Sequence, residues 1–117
     1  MSMNIQIFGR KKSSATKKAE RFFSERRIKF HLVDLDEKKM SRGELESVIS
    51  ALGKAEELID KESKLYKSKY AYLSFNIAEE LLENQEMLKL PVIRNGRKAT
   101  AGTEGQNEWK KWIEEDQ

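Results

Sequence analysis

Apolar positions along the chain recur with a period of two in some stretches and near 3.6 in others, which predicts alternating strands and helices. Asn4 to Phe8 alternates at Ile5 and Ile7, ends in Phe8 before Gly9, and reads as a short strand. A basic loop follows, Gly9 to Ser13. Residues 14 to 26 carry Ala15, Ala19, Phe22 and Phe23 on one helical face. Ile28 to Val33 is β-prone, with Ile28, Phe30 and Leu32 on one side, and reads as a second strand. Strand, helix and strand within about 30 residues is the βαβ pattern.

Ser41 begins the next helix, and Glu44 three residues later completes a Ser-x-x-Glu capping box. Leu45, Val48, Ile49 and Leu52 form its apolar stripe, and Gly53 is a suitable stop. Ala55, Leu58 and Ile59 suggest a short third helix. Residues 61 to 75 have no clear period, and Tyr66, Tyr70, Tyr72, Leu73 and Phe75 are expected to fill a satellite core. Asn76 with Glu79 makes a second capping box, opening a helix that buries Ile77, Leu81 and Leu88 with Ala78 and Leu82 beside them.

The period then returns to two. Leu90 to Arg94 and Arg97 to Ala101 flank Asn95-Gly96, a strong hairpin signal in which both turn residues would need positive φ. Thr103 with Gln106 suggests a third cap. The last helix carries Trp109, Trp112 and Ile113 on one face, read as pinning it to the sheet. The order is β-α-β, three helices, β-hairpin, α. It predicts one α/β domain over residues 1–117, with a small four-stranded mixed sheet and a helical insertion at about 41–88 between strands 2 and 3.

Composition narrows the chemistry. The 117 residues suit one domain, which would bury roughly two-thirds of its unfolded surface. Cysteine is absent, which excludes disulfides and thiol chemistry in this chain. His31 is the only histidine, so neither a two-histidine metal site nor a histidine relay can form. No apolar run approaches the roughly 20 residues of a membrane span. No signal-peptide pattern opens the chain, and a cytoplasmic protein is expected.

The net charge of +3 is unevenly spread. Residues 10–29 hold nine basic and two acidic side chains, leaving the remainder net acidic. Such a run marks either a solvated helix face or an anion surface. The only aromatic residues within it, Phe22 and Phe23, fall on the predicted core face. A stacking platform for single-stranded nucleic acid is therefore not visible, and strong DNA binding is not expected.

Four segments, in order and at fitting spacing, resemble the arsenate reductase (ArsC)/Spx-type family of the thioredoxin-like superfamily. They are Ile7-Phe8-Gly9 with the loop to Ser13-Ser14-Ala15-Thr16; Ser41-Arg42-Gly43-Glu44-Leu45; Leu58-Ile59-Asp60-Lys61 through Tyr66-Lys67; and Leu90-Pro91-Val92-Ile93 with Gly96 and Gly102. The similarity runs from Ile5 to about Trp112. It implies a thioredoxin-like fold and makes Pro91 the active-site cis-proline.

The resemblance also implies a thiolate at the end of the first loop, its pKa lowered by the helix start, with arginines holding the oxyanion. This chain departs from that pattern. Ser13 stands at the nucleophile position, and Asp60, Leu90 and, with a looser alignment, Thr103 stand at the arginine positions. Thr16 replaces the second cysteine of a CxxC pair. Ser13 is either native or an exchange for an oxidation-prone cysteine. A hydroxyl is not ionised near neutral pH and cannot form a disulfide.

What remains is an anion-friendly loop of Gly9, Arg10, Lys11, Lys12 and Ser14 before a helix N-terminus, unless Ser13 or Ser14 simply caps the helix. Three functions compete. The first is a binding or regulatory module, whose partner is the RNA polymerase alpha C-terminal domain, as the resemblance implies, or another protein. The second is a single-cysteine thiol reductase, of arsenate reductase or glutaredoxin kind, with Ser13 replacing its nucleophile. The third, ranked last, is a nucleic-acid binder using the basic stretch. No bound cofactor is expected, and glutathione or another thiol reductant enters only with cysteine at position 13.

Overall fold

The computed structural model describes residues 3–116. Four strands form one mixed sheet in the order β2-β1-β3-β4: β1 (Ile5–Gly9), β2 (Phe30–Asp34), β3 (Val92–Asn95) and β4 (Lys98–Ala101). β1 runs parallel to β2 and antiparallel to β3, and β3 is antiparallel to β4. The helices are α1 (Ser14–Glu25), α2 (Arg42–Leu52), α3 (Ile77–Glu83) and α4 (Gln106–Asp116). The expected α/β class and four-stranded mixed sheet are present, and helical segments occupy the chain between β2 and β3.

Strand alternation gives the sheet two buried faces. Ile5, Ile7 and Ile93 pack against Ala19, Phe22 and Phe23 of α1 and Trp109 and Trp112 of α4. Phe8 and Val92 face the opposite layer, with Leu45 and Val48 of α2, Leu81 of α3, and Leu58, Tyr70 and Met87 from the connecting turns. Both tryptophans are buried, and Trp109 Nε1 donates to Thr100 Oγ1 at 2.8 Å.

Several local expectations are corrected. The second strand starts at Phe30 rather than Ile28, because α1 closes by a Schellman turn. Arg27 N–H donates to Ser24 O and Ile28 N–H to Phe23 O, with Arg27 at φ 58°. The stretch at Ala55–Leu58 is a single 3₁₀ turn rather than an α-helix. Tyr70 is buried, but Tyr72 and Leu73 are 96% and 54% exposed and fill no core. A single π-type turn over Tyr66–Tyr70 turns them outward.

α2 has both bonds of its capping box, whereas α3 has only one. Asn76 Oδ1 accepts from Glu79 N–H, but the Glu79 carboxylate reaches away to Arg42, at 2.6 Å. α3 ends at Glu83, so Leu88 lies beyond it and forms an isolated bridge with Ile59. In the hairpin, Asn95 pairs with Lys98, so the turn residues are Gly96 and Arg97 rather than Asn95 and Gly96. Only Gly96 of these takes a positive φ, 61°. The Thr103 side chain caps nothing among the described residues; Thr103 opens a 3₁₀ turn, Thr103–Gly105, and α4 begins after it.

Candidate functional site

The C-terminal end of β1 organises the candidate site. Gly9 is the last residue of the strand and pairs with Asp34 of β2. On the other side Phe8 pairs with Val92, so the same register places Pro91 opposite Gly9. Pro91 is buried, and the Leu90–Pro91 peptide is cis. Its carbonyl accepts from Gly102 N–H at 3.0 Å, which brings the Gly102–Thr103 turn to this end of the sheet.

Gly9 is required by a close approach. A Cβ at position 9 would collide with the Thr16 side chain, which is buried. Thr16 Oγ1 accepts from Arg10 N–H at 3.3 Å, so the first turn of α1 holds the start of the loop. Thr16 thus fills the space between strand end and helix. The sequence offered no signal for this beyond a small residue at the position.

Ser13 is the N-cap of α1, with extended φ and ψ. Its Oγ accepts from Thr16 N–H at 3.1 Å, and its carbonyl accepts from Lys17 N–H. Among the described residues, Thr16 N–H is the one hydrogen-bond partner of that hydroxyl. Ser14 is the first residue of the helix and is exposed. The cap leaves the Ser14 and Ala15 N–H groups without a protein partner among the described residues, as helix starts generally do.

The loop cations are not all free. Arg10 lies 3.5 Å from Asp36 and Lys11 3.9 Å from Asp34. Both carboxylates come from the exit of β2, which the Gly9–Asp34 pairing and the Leu35 N–H to Gly9 O bond hold against the loop. Lys12 is exposed and forms no ion pair among the described residues. Asp34 and Asp36 were not singled out from the sequence, although Asp-Leu-Asp directly after a parallel strand was the available signal.

The three positions at which the resemblance implies arginine have separate surroundings. Asp60 Oδ1 accepts from Glu62 N–H at 3.0 Å and its N–H donates to Met87 O, so it caps a turn. Asp60 lines a depression of about 470 Å³ with Lys54, Glu56, Glu57, Lys61 and Lys89, and no residue of the Gly9–Ser13 loop lines it. Leu90 packs on the core beside α2 and α3. Thr103 shares a cleft of about 560 Å³ with Ser14, Ala15, Lys17, Lys18 and Arg21 of α1.

Chemically, the loop offers a neutral hydroxyl used as a cap, two helix-start N–H groups and one unpaired lysine. These suit weak attraction of an anion rather than nucleophilic attack. Among the described residues no group of three or more His, Cys, Asp or Glu could hold a metal ion, and no helix is long and apolar enough to cross a membrane.

No family model and no curated protein matches the sequence. Solved structures do match in shape. An arsenate reductase from Vibrio cholerae superposes with TM-score 0.78 at 18% identity, over 91% of this chain and 96% of that one. An arsenate reductase (ArsC) related protein from Brucella melitensis gives 0.70 at 19%, over 95% and 98%. The thioredoxin-like fold expected from the sequence is therefore shared with these proteins over nearly their whole length.

Proposed function

We propose that this chain is an arsenate-reductase-family protein of the Spx-like kind that acts by binding, as a regulatory module of the bacterial cytoplasm, and not by thiol turnover. The observation that carries the reading is the Ser13 hydroxyl bound to Thr16 N–H as a helix cap, at the position where the family places its thiolate. Asp60, Leu90 and Thr103 support it. Asp60 would repel an oxyanion, Leu90 offers it no donor, and the neutral hydroxyl of Thr103 cannot replace a guanidinium. The resemblance suggests the RNA polymerase alpha C-terminal domain as the partner, with another protein as the alternative.

The test is turnover of the chain as given beside Ser13→Cys, each offered arsenate and a glutathione mixed disulfide with a coupled reductant. The expected result is no turnover in either, because a restored thiolate would still lack its anion clamp. Turnover in the variant alone would overturn the reading and make this chain the silenced form of a single-cysteine thiol reductase. Titration with the isolated polymerase domain, followed by NMR shifts, tests the partner separately.

A further inference from the structure

The basic surplus of residues 10–29 does not reside in the loop, where Asp34 and Asp36 oppose two of the three cations. Part of it sits on the outer side of α1, and the rest, Arg26, Arg27 and Lys29, lies beyond the helix end. Lys17, Lys18 and Arg21 are exposed and, with Ser14, recur at the spacing of one helix face. None of the three forms an ion pair among the described residues, although eight other cations of the chain do. They form one wall of the 560 Å³ cleft whose other side is Thr103. This is a concave strip with three unpaired positive charges.

We infer that this cleft is a docking surface for an acidic peptide segment of a protein partner, one bearing closely spaced carboxylates that match three cations within little more than one helical turn. Charge complementarity selects the occupant's sign, and the length of the strip selects its class. The three cations, Lys17 to Arg21, span just over one turn, about 6 Å at 1.5 Å per residue. At the far end, Glu25 closes the strip to further negative charge, and Glu20 lies on the same helix. A nucleic acid gains affinity from a long run of neutralised phosphates, and from stacking where it is single-stranded. Here the run is short, and the helix's two aromatic rings, Phe22 and Phe23, are in the core. The inference rests on the reading of the chain as a binding module and names the surface and partner chemistry of that module.

The experiment titrates the full chain with a fluorescein-labelled Glu-Ala-Ala repeat peptide and, in parallel, a labelled single-stranded DNA of equal charge. Backbone NMR locates the shifts. The expected result is saturable peptide binding with shifts at Ser14 to Arg21 and Thr103, weakened about tenfold or more by combined Lys17→Glu, Lys18→Glu and Arg21→Glu. A control with Lys38→Glu, Lys64→Glu and Lys110→Glu changes the net charge equally and is expected to retain binding. Absence of peptide binding, equal loss in the control, or tighter binding of the DNA would each overturn the inference. Melting curves of both triple variants establish that they fold. Turnover by Ser13→Cys would remove the non-enzymatic reading without touching this measurement, so the two fail separately.

Discussion

At the scale of single residues, the site turns on what each polar atom already does. Ser13 uses its oxygen to cap α1, and this predicts a specific ordering of variants. Ser13→Ala removes the acceptor and should lower stability by about 1 kcal/mol, whereas Ser13→Asp keeps it, adds charge at the positive end of the helix, and should cost nothing or stabilise. Urea titrations of the three proteins check this, and equal stability of Ala and Asp variants would sink the cap assignment. The sequence left Ser13 open between nucleophile position and cap, since both uses ask for a small polar residue before a helix. The hydrogen bond to Thr16 shows the cap, which the sequence pattern alone does not. Thr16 itself was legible merely as an absent cysteine, because its burial against Gly9 depends on how closely the helix approaches the strand end. That distance is a tertiary property that no local pattern encodes.

At the scale of elements, the apolar stripes were legible and the ends were not. Ala19, Phe22 and Phe23 of α1 are buried as their spacing requires, yet the helix stops at a Schellman turn built on a non-glycine residue. Arg27 holds φ 58°, a conformation costing a side-chain-bearing residue roughly 1–2 kcal/mol. Arg27→Gly should therefore stabilise the protein, by somewhat less than that because glycine also frees the unfolded chain. A lowered urea midpoint would show that the Arg27 side chain makes a compensating contact.

The hairpin slipped for a related reason. Asn-Gly has the composition of a turn pair, but Asn95 is kept in β3 by pairing with Lys98 and by its side chain, which accepts Asn4 N–H at 3.1 Å. The turn then moves one residue on, to Gly96 and Arg97. Elements joined by titrating side chains should respond to pH. Tyr70 donates its hydroxyl to Glu80 at 2.6 Å and sits in the layer over α2 and α3. The Glu80 carboxylate, together with burial, holds the phenol above its ordinary range. A raised folded-state value favours the protonated form, so this contribution is complete below the unfolded value near 10 and is lost as pH rises through the folded one. Tyr70→Phe should accordingly flatten the alkaline limb of a stability–pH curve. An unchanged limb would place the alkaline loss elsewhere.

At the scale of the whole molecule, one sheet with two buried faces makes a prediction that neither face makes alone. Both tryptophans lie in the layer of α1 and α4, so their fluorescence reports on that side only. Leu81 lies in the opposite layer, fully buried with Val48, Leu58 and Met87. Leu81→Ala removes buried methyl groups there and should cost about 2–5 kcal/mol. Phe8 and Val92 face Leu81's layer, while Ile7 and Ile93, their neighbours in the same two strands, face the tryptophans. Losing one face therefore unpins the strands that anchor the other, and the domain should melt in one transition. The tryptophan-monitored midpoint should then fall in Leu81→Ala by roughly 4–8 °C per kcal/mol lost, together with the far-UV signal. A fluorescence midpoint that stays fixed while the helical signal melts early would show that the segments between β2 and β3 unfold as an independent layer. In that case β1, with the Ser13 loop at its end and the α1 cleft beyond, would survive on the α1–α4 layer alone.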